Sequence, residues 1–396
     1  MSRAGDESIR PAPSAERGRS ALPIWRSLGA LGLLVVIALL AAALFSADGS
    51  APESMAGAGE RAPPGGRLEI IDTHVHLSPN AVPRLLDLMQ RHGVSRIVNL
   101  SGGTPLAGLD EQLDAARRAP GKIVVFTTLA YEQARFPDYG QRMAELVRAA
   151  HARGARGLKI AKVLGLALTT RDGRRIPVDD PALDPVFAAA GELGMPVAIH
   201  SGDPEAFWLP IDANNPRKEE LDAHPAWALY GRNVPSFAGL LGELEARIAR
   251  HPGTTFISVH FGNDAEHPDD VARLLRKYPN LYIDTAARIP ELGRHSAAAM
   301  RAFFIEFQDR ILYGSDLGVG PEPTPLFLGS QGRTAPTPAE IERFFDASRR
   351  YFETADRQFD HPTPIQGNWK IDGIALPPAV LAKVYHQNAA RLLSLE

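Results

Sequence analysis

From residue 67 to the end, short runs rich in Val, Ile and Leu alternate with longer stretches whose apolar positions recur every three or four residues. The short runs predict strands at 68–77, 95–100, 122–130, 155–161, 196–200, 254–260, 281–285 and 310–316. The periodic stretches predict helices at 81–92, 108–119, 139–153, 182–193, 236–250, 268–277 and 291–308, with more helix beyond residue 316. Continuous aliphatic strands between amphipathic helices describe a parallel sheet covered by helices. Eight such units predict an α/β protein of the closed (β/α)8 TIM-barrel type. A doubly wound open sheet is the competing arrangement, but no Gly-rich phosphate loop follows the first strand. No internal repeat is present.

The N-terminal part follows a different pattern. Residues 28–45 (LGALGLLVVIALLAAALF) carry no polar side chain, a length of ~27 Å as a helix at ~1.5 Å per residue. That exceeds the ~7–15 residues of a signal-peptide core and approaches a bilayer span. Arg3, Arg10, Arg17, Arg19 and Arg26 precede it, and the first charges after it are Asp48, Glu53 and Glu60. Positive residues before and acidic ones after keep the N-terminus in the cytoplasm. The expectation is a cytoplasmic segment 1–27, a transmembrane signal-anchor helix 28–45, and a flexible Ala/Gly/Pro/Ser linker 46–66. The domain 67–396 would then face the periplasm or the exterior from a single-pass anchor in the cell inner membrane. If the apolar segment were cleaved as a signal peptide, the domain would be secreted.

Composition narrows the chemistry. The net charge of −3, with 7% aromatic residues, provides no basic field for nucleic acid. The absence of cysteine excludes disulfides, thiolate metal sites and a cysteine nucleophile.

Histidine supplies the chemistry instead. The first predicted strand ends Asp72-Thr73-His74-Val75-His76. Side chains alternate along a strand, so His74 and His76 point the same way, into the barrel mouth, and suit two cis positions of a divalent metal. His200 ends the fifth strand, His260 the sixth, and Asp316 the eighth. One histidine at a strand end is ordinarily a satisfied polar residue. Five such residues at one rim indicate a metal site.

This arrangement resembles the amidohydrolase superfamily, whose signature is HxH on strand one, His on strands five and six, and Asp on strand eight. The resemblance runs through IDTHVH, GLKI, VAIHSGDP, FISVHFGN, ILYGSD and KVYHQNAARLL. It is nearest to the branch that includes aminocarboxymuconate-semialdehyde decarboxylase and related hydrolases. It implies that His74, His76 and His200 hold the metal, and that Asp316 is a ligand, a general base toward metal-bound water, or both. His260 is implied as an acid/base, or as part of a second metal site. Lys159 ends strand four where binuclear relatives carry a carboxylated lysine. Unmodified, it would bind a substrate carboxylate or pair with Asp316, the preferred alternative.

Other segments bear on substrate. The long insertion 201–235 suggests a lid or binding loop. Its Phe207, Trp208, Trp227 and Tyr230 would either line an apolar wall or form the loop's own core. Arg288 is expected to clamp a carboxylate. Segment 317–337 is expected at the mouth, while 360–377, with His361 and Trp369, carries no assigned role.

The expected function is a hydrolase attacking an amide, ester or lactone carbonyl with metal-bound hydroxide. A non-oxidative decarboxylase of an unsaturated or aromatic acid is the alternative, and a ligand-binding barrel without turnover the third possibility. Zn2+ is the expected cofactor, with Mn2+, Fe2+ or Co2+ as substitutes. The expected partners are a small, anionic substrate, the membrane through the N-terminal helix, and a second copy in a homodimer.

Overall fold

The computed structural model describes residues 68–395. Its strands β1 (Ile70–Leu77), β2 (Val94–Asn99), β3 (Ile123–Thr128), β4 (Gly157–Ile160), β5 (Val197–Ile199), β6 (Phe256–Ser258), β7 (Leu281–Asp284) and β8 (Ile311–Leu312) follow the predicted order. They pair in parallel, each with the next in sequence. A helix follows each strand: α1 (Val82–His92), α2 (Leu109–Arg118), α3 (Tyr139–Arg153), α4 (Asp184–Glu192), α5 (Phe237–Arg250), α6 (Pro268–Lys277), α7 (Ala297–Glu306) and α8 (Pro338–Glu353).

These helices form where the sequence supplies a stripe, a start and a stop. In α1, Val82, Leu85, Leu88 and Met89 face inward, the spacing of one helix face. It ends at Gly93, whose φ of 65° lets its N–H return to the Met89 carbonyl. In α6, Pro268 opens the helix, Asp269 and Asp270 occupy the first turn, and Arg276 and Lys277 the last, all matched to the helix dipole. Helix α7 is shorter than the predicted 291–308. The Ser296 side chain caps it by accepting from the Ala299 N–H, and a separate turn, Ile289–Leu292, precedes it.

The eighth strand also differs from the continuous run expected at 310–316. Asp316 has a φ of +61°, which breaks the extended backbone. The chain resumes as β9 (Leu317–Val319), parallel to β1, and β10 (Phe327–Leu328) adds antiparallel to β9. The ten-stranded sheet therefore runs β10-β9-β1-β2-β3-β4-β5-β6-β7-β8. Since β8 pairs with β7 and β9 with β1, the short stretch 311–319 touches both ends of the eight-strand series. Between them the Thr73 N–H donates to the Tyr313 carbonyl at 2.9 Å, and the Asp316 N–H to the His74 carbonyl at 2.9 Å. The result is an α/β, TIM-barrel-like fold.

Two apolar layers result. Ile71, Val98, Val124, Ala198, Ile257 and Leu312, each from a different strand, pack into one cluster, which marks the inner face of the sheet; Ala389 and Leu393 join it from the C-terminal helical segment. The larger cluster lies between sheet and helices and contains Ile70, Val75 and Leu77. Ile71 and Val75 would share a face in a regular strand. A register irregularity between Asp72 and Val75 reverses the phase, and such bulges re-aim side chains beside functional sites.

The membrane placement expected from the sequence requires correction. Among the described residues, no helix is long and apolar enough to cross a membrane. Residues 28–45, on which the inner-membrane anchor and the periplasmic or secreted domain depended, lie outside the described residues, as do the segments 1–27 and 46–66.

Candidate metal centre

Strand β1 delivers His74 and His76 together, and the chain break after β8 delivers Asp316 to them. Asp316 Oδ1 lies 3.4 Å from Nε2 of His74 and 3.4 Å from Nε2 of His76. His74 is buried, and its Nδ1 lies 2.8 Å from Oδ2 of Asp284. A carboxylate only accepts, so Nδ1 carries the proton and the Nε2 lone pair faces Asp316. This is the carboxylate–histidine arrangement that orients a metal ligand from behind. His76 Nδ1 is 2.7 Å from the Ser101 hydroxyl, which orients the second ring. Burial would raise the Asp316 pKa, but His74, His76 and Lys159 override it and hold the carboxylate well below its usual range.

His74, His76 and Asp316 form one of two groups of three with mutually close ligand atoms among the described residues; His74, His260 and Asp284 form the other. Asp284 is already committed in the second group. Besides His74, its Oδ1 accepts from the N–H of His260 at 2.7 Å and of Ala286 at 3.1 Å.

His200 and His260 flank the first group. The rings of His74 and His260 are 4.8 Å apart and those of His200 and His260 are 4.3 Å apart. His200 is absent from both close groups. Its Nε2 is buried and has no hydrogen-bond partner, and burial pushes its pKa down to about 4. A neutral imidazole whose buried Nε2 has no hydrogen-bond partner can offer that nitrogen to a divalent ion, and with His74, His76 and Asp316 beside it the residues present fit the expected metal. His260 has a left-handed backbone, φ 54°, and its Nδ1 donates to the Ala286 carbonyl at 2.9 Å. That leaves Nε2 unprotonated. Burial, then His200, Arg288, His74 and Lys159, keeps this ring neutral well below the usual histidine pKa.

Lys159, on β4, is buried with Nζ 3.4 Å from His74 Nε2. Burial pushes its pKa down to about 8, against the opposing pull of Asp284 and Asp316. Arg288 is also buried, follows Ala287 with φ 56°, and spends one hydrogen bond on the Ala287 carbonyl. Lys159 thus stands inside the group, and Arg288 beside it within electrostatic reach of His260.

The insertion 201–235 packs mainly on itself. Phe207, Leu221 and Ala228 form a small core with Trp208 and Trp227, and Tyr230 is exposed. Asn263 fastens its start by accepting the N–H groups of Ser201 and Gly202. Arg217 fastens its middle: it is buried, donates to Glu220 at 2.7 Å, and pairs with Glu291 from the loop after β7. Ser330 joins Glu220 from the segment after β10. Within 360–377, a two-stranded hairpin, β11 (Phe359–Asp360) with β12 (Lys370–Ile371), sets His361 against Trp369, whose indole donates to the Pro290 carbonyl. A cavity of about 840 Å³ lies between segment 326–336, α8 and segment 359–365, and none of the predicted site residues lines it.

Sequence reasoning did not single out Asp284, Ser101 or Arg217. Asp284 had a signal: it closes the seventh strand, where an acid can reach the histidines of its neighbours. Arg217 had none, since its partners lie in other loops.

A parallel sheet with a histidine–carboxylate cluster near its strand ends is an α/β fold with a candidate metal-binding group. The amidohydrolase family pattern matches residues 61–395, and the chain belongs to that family. No curated protein matches significantly. Among solved structures, the chain is similar to 2,6-dihydroxybenzoate decarboxylase from Rhizobium at 17% identity and a TM-score of 0.45, over 83% of this chain and 99% of that one. It is similar to 5-carboxyvanillate decarboxylase from Sphingomonas paucimobilis at 16% identity and a TM-score of 0.45, over 83% and 100%. It is also similar to dihydroorotase from Campylobacter jejuni at 13% identity and a TM-score of 0.45, over 83% and 84%.

Proposed function

We propose that this chain is a metal-dependent hydrolase that attacks an amide, ester or lactone carbonyl with water and breaks its C–N or C–O bond, at a centre built from His74, His76, His200 and Asp316. The observation that carries the reading is the placement of Asp316, an anionic carboxylate 3.4 Å from the Nε2 atoms of two oriented histidines. A divalent ion held there supplies Lewis acidity toward a carbonyl oxygen and makes water easier to deprotonate. Imidazole and carboxylate donors suit Zn2+, with Mn2+, Fe2+ or Co2+ as substitutes.

The remaining work falls to side chains. Asp316 accepts the proton of the attacking water and returns it to the leaving group. His260, with Nε2 unprotonated, accepts a hydrogen bond from the reacting water or substrate. Lys159 and Arg288 bind an anionic group on the substrate, and Asp284 keeps His74 in the tautomer that presents Nε2.

Decarboxylation of an unsaturated or aromatic acid is the second reading, and one observation favours it: two buried basic side chains, Lys159 and Arg288, both lie within electrostatic reach of His260. The test is an assay of the zinc- or manganese-loaded protein on N-acyl compounds, esters and lactones in a pH-stat, and on aromatic and dienyl acids by CO2 release. Acid release without CO2 supports the hydrolase. CO2 release alone replaces it with the decarboxylase.

A further inference from the structure

The loops after β4 and β5 carry an ion pair with no part in the mechanism above. Lys162 is partly exposed, and its Nζ lies 2.7 and 2.6 Å from the two carboxylate oxygens of Asp203. Asp203 is buried three residues past His200, and its Oδ1 stands 3.6 Å from His200 Nε2, the nitrogen without a hydrogen-bond partner.

The spacing has a meaning in coordination geometry. Two donors, each ~2.1 Å from one ion, are about 3.0 to 3.6 Å apart when they occupy neighbouring positions of a five-coordinate centre. The Asp316 edges to His74 and His76 are each 3.4 Å. The His200–Asp203 separation, 3.6 Å, falls in the same range, and the His200 ring lies 4.3 Å from that of His260, although neither His200 nor Asp203 belongs to either close group of three among the described residues. Resting on the metal centre proposed above, we propose that Asp203 is a further carboxylate donor of that centre, and that Lys162 is the cation that draws it away from the ion. The pair then sets how tightly the ion is held. Neutralising Lys162 releases the carboxylate toward His200, whereas neutralising Asp203 removes a donor and leaves the Lys162 ammonium without its carboxylate. An ion pair that only fastened two loops would do neither.

The test uses the full chain, stripped with a chelator and titrated with Zn2+ or Co2+ alone, as wild type, Asp203→Asn, Lys162→Met and the double variant. Asp203→Asn is expected to weaken Zn2+ binding about 10–100-fold, the range seen when a metal-site partner is lost, and to alter the Co2+ d–d absorption. Lys162→Met is expected to tighten Zn2+ binding, and the double variant to share the Asp203→Asn spectrum. A folded Asp203→Asn protein with wild-type Zn2+ affinity and Co2+ spectrum overturns the role of Asp203 and leaves the metal centre standing. A wild-type protein that takes up neither ion overturns both. Should Asp203→Asn fail to fold, Lys162→Met decides alone, because it keeps the carboxylate; unchanged affinity and spectrum there also overturn the proposal.

Discussion

Asp72 clasps Ser315: its carboxylate accepts the Ser315 backbone N–H at 3.0 Å and the Ser315 hydroxyl, and also the N–H of His74 at 3.1 Å. One buried side chain therefore fastens the strand that presents His74 to the segment that presents Asp316. The Ser315 hydroxyl in turn accepts the Leu317 N–H at 3.0 Å, which holds the start of β9. Burial pushes the Asp72 carboxyl up to about 7 even with these donors around it, so the clasp is held under electrostatic cost.

Replacing Asp72 with Ala should loosen both halves of the centre. It leaves two buried N–H groups without acceptors, and each lost partner costs ~1–3 kcal/mol. The expected outcome is a lower midpoint in urea unfolding, with Zn2+ affinity falling more steeply than for a surface Asp→Ala control. Asp72→Asn, which retains one acceptor oxygen, should lie between the two proteins. Equal Zn2+ affinity in wild type and Asp72→Ala would show that the clasp does not position the ligands.

Asp316 and His74 make the more direct test. Removing the carboxylate as Asp316→Ala takes away the group assigned to move protons, and such groups contribute about 10²–10⁴-fold to rate. Activity should fall by at least that factor in Asp316→Ala and in His74→Ala. Circular dichroism should be unchanged, because both side chains face the mouth and not the two apolar layers. Full turnover in either folded variant would place the chemistry elsewhere.

Much of this arrangement is legible in the chain because it follows local rules. The alternation of His74, Val75 and His76 puts both histidines on one face, and the helix periodicity places α3 and α6 at the residues observed. What escapes is set by contacts across the sequence. Asp284 reaches His74 from a strand 210 residues away, and nothing in the DTAAR run marks which histidine it will orient. The eighth strand reads as continuous because Ile311, Leu312 and Tyr313 favour extended backbone, although Gly314, Ser315 and Asp316 after them do not. The Asp316 N–H donates to the His74 carbonyl where the chain turns left-handed, a contact across the sequence that the run itself does not announce. The aromatic residues of the insertion read equally as wall or core, and packing on Leu221 and Ala228 places Phe207 and Trp227 in the core.

Arg217 tests whether the insertion is held by charge. Its guanidinium pairs with Glu220 and Glu291, all three buried, so Arg217→Met strands two carboxylates away from water. Breaking a buried pair from one side costs ~3–5 kcal/mol. Thermal unfolding should shift down accordingly, and limited proteolysis should find new cleavage sites within 201–235. Adding Glu220→Gln and Glu291→Gln removes the stranded charges and should recover a good part of the loss. A proteolysis pattern identical to wild type in Arg217→Met would mean that the small aromatic core alone holds the loop.

Glu245 gives a pH signature far from the metal centre. It lies on α5 and binds Arg273 at 3.1 Å, Lys277 at 2.8 Å and the Tyr278 hydroxyl at 2.9 Å, all from α6 and the residue that follows it. The Arg273 hydrogen bonds foremost, with smaller help from Lys277 and Tyr278, bring its pKa from 4.5 down to about 2. A carboxylate depressed in the folded state stabilises the fold fully above its unfolded pKa, and that stabilisation is lost as the pH falls through its folded pKa. The window is therefore between 4.5 and about 2. Solvent screening at this partly exposed site limits the effect to ~1 kcal/mol. Urea unfolding at pH 7 should show Glu245→Gln weaker than wild type by about that amount, and the gap should narrow steadily below pH 4.5. It should also shrink in 1 M salt at pH 7, where the Debye length is only ~3 Å. A gap that holds constant with pH would assign the contribution to the shape of the side chain and not to its charge.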